Sequence, residues 1–225
     1  MKYVMRLLIL LLSIFVSAGS LHAEEKFPLL GDLLDDFEYL ATSPTRLDTK
    51  SALITLGVIG VGVGLYFEDE NIRDFFQDNK GSVGDALSPI AEKFGFWPAG
   101  LAFLAAYGGS GYLMENEKMQ ETAYLAFQSF LVANAISVSV KYGTGRARPK
   151  RDKGSRSFKP FSFNTSDTAF PSGHTTVAFS LASVFADEYE NPWVGVLAYG
   201  LATSTAWERL YDDKHWASDV WAGFV

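Results

Sequence analysis

The chain has no cysteine, which excludes disulfides and thiolate chemistry and leaves the redox compartment open. Histidine is almost as scarce, at three residues in 225, so each imidazole has to be placed. Positive charge is in deficit as well: 19 Lys and Arg stand against 26 Asp and Glu, a formal net charge of −7. That balance argues against a general nucleic-acid binder. There is no internal repeat and no low-complexity tract, and no G-x-S-x-G elbow of the kind that carries a serine nucleophile. What is present is 48% apolar and 15% aromatic residues, enough for one ordered domain with a real core.

The N-terminus reads as a leader. Lys2 and Arg6 precede an apolar run from Leu7 to Val16, and small residues follow up to Ala23, ahead of Glu24 and Glu25. This predicts a signal peptide over 1–23, cut after Ser20 or Ala23, and export of the remainder to the periplasm. An uncleaved anchor is the alternative, although the run is short for a membrane span. His22 would leave with the leader.

Residues 24–50 read as an amphipathic segment with a short helix and a turn at Ser43-Pro44, ahead of a helical domain over 51–225. The uncharged, glycine-containing run Ser51 to Phe67 is a helix or a strand, and Glu68 to Lys80 a charged connector. A short helix over Asp85 to Lys93 precedes two long apolar stretches, Phe94 to Met114 and Thr122 to Val140, the second ended by Gly143 and Gly145. Val177, Leu181, Val184 and Phe185 share one face of a helix that starts at Ser172, and Pro192 to Trp207 forms another. The last helix begins near His215 and has little length before Val225. The fold class is therefore all-α, a single bundle of about six core helices with a short final one. A mean hydropathy of +0.08 favours apolar helices packing on one another in a periplasmic, membrane-associated bundle. An integral inner-membrane protein is the alternative, since the stretches are long enough to span.

Three clusters carry chemistry. From Lys141 to Lys159 eight basic residues face one acid, Asp152, in an otherwise acidic chain. In Pro171-Ser172-Gly173-His174, Ser172 is a favoured N-cap, so the first-turn amides next to His174 point outward where an anion binds readily. His215 and Asp219 are four residues apart. On one helix face the carboxylate would accept the Nδ1–H and leave Nε2 as nucleophile or ligand.

Lys141 with Arg148-Pro149, then Pro171 to His174, then Arg209, His215 and Asp219 together resemble the signature of the type 2 phosphatidic acid phosphatase and vanadium haloperoxidase superfamily. All ten signature positions are present in order. The resemblance implies a helical bundle and a metal-independent phosphatase acting on a phosphomonoester or pyrophosphate, on a small molecule or a lipid. It implies that Lys141, Arg148, Ser172, Gly173 and Arg209 hold the phosphoryl group. His215, oriented by Asp219, would form a phosphohistidine, and His174 would protonate the leaving oxygen and then activate water. No cofactor is implied on that reading. The alternative is a vanadium-dependent haloperoxidase, because vanadate mimics phosphate in the same anion site. One departure is Glu208, where the family usually has Ser. A metal site built from His174, His215 and Asp219 is disfavoured by the three cations that converge there.

Overall fold

The computed structural model describes residues 28–225; the expected leader and its cleavage points lie outside them. Among the described residues the regular structure is helical: α1 (Leu29–Thr42), α2 (Thr49–Asp78), α3 (Ser82–Gly95), α4 (Trp97–Leu113), α5 (Glu117–Thr144), α6 (Gly173–Glu188), α7 (Pro192–Tyr211) and α8 (Ala217–Phe224), with three short 3-10 turns. The all-α bundle expected from the apolar stretches is what forms.

Local chemistry sets most of the boundaries. Asp48 starts α2 by accepting the Ser51 N–H at 2.7 Å, Asn116 starts α5 through Met119 N–H, and Asn191 starts α7 through Trp193 N–H, each offsetting an orphan amide. Pro98 and Pro192 sit in the first turn of their helices, where a missing N–H costs nothing. Helix α5 stops at Gly145, whose φ of 60° is left-handed, a backbone state that an L side chain rarely adopts.

The core lies between α4, α5 and α6, where Leu104, Ala126, Phe127, Phe130, Val177 and Leu181 form one buried cluster and Val184 and Phe185 pack against it. The face read from the α6 sequence is thus the face that is buried. Small residues Ala178, Ala182 and Ala202 bring α6 and α7 together.

The helix reading of Ser51 to Phe67 holds, as α2, and the element differs from expectation in running straight through the supposed connector to Asp78. The charged half stays helical because Asp69, Arg73 and Gln77, at i, i+4 and i+8, all find partners on the α7–α8 end: Ser218 N–H, Asp213 and the Leu210 carbonyl. Its apolar half does not join the mutual packing expected of a soluble bundle. None of its 18-residue apolar window is buried, whereas 44% of the corresponding window of α5 is.

Candidate active site

Four helix ends meet at one end of the bundle: the C-termini of α5 and α7 and the N-termini of α6 and α8. Each sequence-predicted residue lies at one of these ends or in the loops between them. Ser172 is the N-cap of α6 but its side chain makes no capping bond. Its hydroxyl accepts from Thr175 Oγ1 at 2.9 Å and its N–H donates to the Asp219 carbonyl at 2.8 Å. The start of α6 is therefore tied to α8 by backbone, with its first-turn amides left uncapped by that side chain. Lys141, in the last turn of α5, donates to the Thr168 carbonyl at 3.3 Å and to the Pro171 carbonyl. Its stem crosses Gly173 so closely that a Cβ there would lie 3.3 Å from Lys141 Cε.

His215 is not on the helix. It precedes the N-cap Trp216 of α8, and Asp219 sits at the third helical position, so the two do not share a helix face. The Nδ1 of His215 lies 2.7 Å from the Ala169 carbonyl and 3.6 Å from Asp219 Oδ2. The expected Nδ1–H to carboxylate bond is replaced by one to a backbone carbonyl, because Asp219 Oδ2 is taken by the Trp216 N–H at 2.8 Å. A carbonyl can only accept, so Nδ1 carries the proton and Nε2 the lone pair.

The cations around these imidazoles push one way. Burial first, then Arg209, Arg148 and Lys141, lower His174 to about 3, and burial with the same cations holds His215 well below its usual value. Burial raises Asp219 to about 6 against the pull of Arg146. Both histidines are neutral near pH 7, in a pocket of fixed positive charge. Three buried donors or acceptors there, Arg148 Nε, His174 Nε2 and Arg209 Nη2, lack hydrogen-bond partners. Buried polar groups are rarely left so, and this set suits a tetrahedral oxyanion.

A family model described as the PAP2 superfamily matches residues 122–225, the stretch that holds every one of these residues. Residues 122–225 thus match the PAP2 superfamily, in agreement with the resemblance carried by the three motifs. It is 38% identical over 179 residues to a lipid A 1-phosphatase of Porphyromonas gingivalis, covering 75% of this chain and 34% of that protein. It is 34% identical over 105 residues to a lipid A 1-phosphatase of Rhizobium etli, covering 46% of this chain and 44% of the relative. The chain thus spans about a third to under half of these relatives' length. Its fold matches the crystal structure of a transmembrane PAP2-type phosphatidylglycerolphosphate phosphatase from Bacillus subtilis, with a TM-score of 0.59 at 18% identity, over 75% of this chain and 88% of that one.

The departure at Glu208 from the usual family residue has a definite contact. The fully buried carboxylate accepts from Arg209 Nε, leaving its other oxygen without a partner, and burial raises its pKa. Glu92 of α3 approaches Arg209 Nη2 at 3.1 Å, within ion-pair distance but off the hydrogen-bond direction. Sequence reasoning overlooked Glu92, Arg146, Asp69 and the Ala169 carbonyl. Asp69 lay in the supposed connector, and a backbone acceptor leaves no trace in side-chain identity. Arg146 did have a signal, as a basic residue two positions before the motif Arg148.

Proposed function

We propose that the chain is a metal-independent phosphatase that releases phosphate from a lipid phosphomonoester or pyrophosphate through a phosphohistidine on His215. The observation that carries this reading is the Nδ1 contact of His215 with the Ala169 carbonyl, which fixes the lone pair on Nε2 inside the cationic pocket. Arg148, Arg209 and Lys141, with the amides at the start of α6, hold the phosphoryl oxygens. His215 Nε2 attacks phosphorus as the bond to the leaving oxygen breaks, and His174 Nε2 delivers a proton to that oxygen. A water then attacks the phosphohistidine, gives its proton to His174 and frees phosphate and His215.

His174 must be protonated for the first step, and in the empty pocket it is not. A bound phosphate dianion offsets the cations that depress it, so the acid forms with substrate in place. The lipid assignment rests on the unburied apolar half of α2 and on the lipid substrates in the relatives' names. Export and a periplasmic site remain part of the proposal, through the leader read at 1–23.

The test is phosphate release in detergent micelles from a panel of lipid phosphates, isoprenyl pyrophosphate and p-nitrophenyl phosphate, with chelator present. Wild type turns over at least one lipid phosphate, and His215→Ala loses about a thousandfold or more in kcat. A His215→Ala protein as active as wild type overturns the phosphohistidine route.

A further inference from the structure

Arg146 is outside the signature, yet its side chain is fully buried. All five of its N–H donors are used. Nε and Nη2 donate to the Ser155 carbonyl at 2.9 and 2.8 Å, and Nη2 also donates to Asp69 Oδ2 at 2.6 Å. Nη1 donates to Ser218 Oγ at 2.7 Å and to Asp219 Oδ1 at 2.6 Å. The rings of Tyr66, Phe158 and Trp216 surround the guanidinium at 5.2, 5.5 and 5.7 Å, a setting that suits a planar cation. Asp69 in turn accepts the N–H and Oγ–H of Ser218 at 2.9 and 2.6 Å. One guanidinium thus joins α2, the loop after α5 and the start of α8.

We infer that Arg146 is the positioning residue of the site: held by Asp69, it fixes the Asp219 carboxylate beside His215 and keeps it ionised. This rests on the reading of His215 as nucleophile. With Arg146 on Oδ1 and the Trp216 N–H on Oδ2, Asp219 cannot rotate, and its negative charge stays 3.6 Å from His215 Nδ1. That charge stabilises the cation which develops on the ring as Nε2 bonds to phosphorus.

The groups facing Asp219 are Arg146 from the loop, Asp69 from α2, His215 and the Trp216 N–H from the α7–α8 turn, and at longer range Lys141 of α5 and Arg148. Arg146 favours the ionised form and Asp69 opposes it. Without Arg146, two buried carboxylates would share a site with no cation between them, and one would take up a proton near neutral pH. Removing the Asp69 charge does the reverse.

The experiment measures kcat and KM of the full chain in detergent micelles from pH 5 to 9 with p-nitrophenyl phosphate, alongside thermal unfolding, for wild type, His215→Ala, Arg146→Lys, Arg146→Gln, Asp69→Asn and the Arg146→Gln/Asp69→Asn pair. Arg146→Gln lowers kcat about a hundredfold with KM changed less than about threefold, and moves the acid limb of the kcat profile up by about one pH unit. Arg146→Lys keeps the charge but loses the fork, so the limb stays and kcat falls about tenfold. Asp69→Asn moves the limb down, and the double variant returns it towards wild type. A purely structural Arg146 would lower stability without these opposed shifts. Unshifted acid limbs in Asp69→Asn and in Arg146→Gln overturn the proposal, and should Arg146→Gln not fold, Asp69→Asn and Arg146→Lys decide it alone. Those results with an inactive His215→Ala would leave the nucleophile reading standing, whereas an active His215→Ala would sink both.

Discussion

Without a bound anion, His174 and His215 are both neutral near pH 7, and this has a consequence for stability. A histidine whose folded pKa lies below about 6.5 binds fewer protons folded than unfolded, so stability falls as pH drops through the unfolded value. His174 at about 3 and His215, also lowered, both act in this sense. Asp219, raised to about 6, acts in the opposite sense below that pH, so the two histidines dominate between pH 7.5 and 6. The empty protein is expected to lose on the order of 1 kcal/mol across that window, seen as a lower Tm at pH 6. Saturating vanadate, by raising His174, should flatten the dependence, and an equal fall in Tm with and without vanadate would show that no proton is taken up with the anion. At this scale much of the site is legible in sequence, because Lys141, Arg148, Ser172, His174, Arg209 and His215 lie in short motifs at helix ends. The orientation of His215 is not, since it depends on a carbonyl 46 residues away.

Helices α3 and α6 touch at the site because Gly95 has no side chain. A Cβ at Gly95 would lie 2.4 Å from Thr205 Cγ2 and 2.5 Å from the His174 carbonyl oxygen. The latter is backbone and cannot swing aside, so accommodation displaces either the end of α3 or the first turn of α6, which carries His174. Gly95→Ala is therefore expected to cost about 1–3 kcal/mol through overpacking and to lower kcat through His174, measured as a fall in Tm together with slower phosphate release. An unchanged kcat in a destabilised variant would mean that α3 yields and the α6 start does not. Element identities were readable from apolar runs and stop signals, as with α5, read from the run Thr122 to Val140 and from Gly143 and Gly145, the second of which is its C-cap. The extent of α2 was not: Glu68 to Lys80 reads as a connector until Asp69, Arg73 and Gln77 are seen to face partners more than 130 residues on. Helix propensity permits that continuation, and tertiary contacts decide it.

For the whole molecule, α2 divides into an unburied apolar half and a polar half that packs at the site. Its 30 residues span about 45 Å at 1.5 Å per residue. The 18-residue apolar window accounts for about 27 Å of that, close to the roughly 30 Å of a bilayer's hydrocarbon core. Leu53, Ile54, Leu56 and Ile59 in this half are 56–64% exposed, a contiguous apolar surface that a soluble monomer rarely carries. The other half grips the α7–α8 turn at the site, so with the apolar half in lipid the anion pocket lies at headgroup level, where lipid phosphates are. The chain is expected to remain with membranes after an alkaline carbonate wash and to dissolve on adding detergent. Replacing Leu53, Ile54, Leu56 and Ile59 together by Ser should move part of it to the soluble fraction on sedimentation. It should also raise KM for a lipid phosphate in vesicles while leaving KM for p-nitrophenyl phosphate in detergent near wild type, because the polar half of α2 and its contacts with Arg146, Asp213 and Ser218 are untouched. Recovery of the wild-type chain from the wash supernatant would instead assign the apolar face of α2 to contacts between protein molecules.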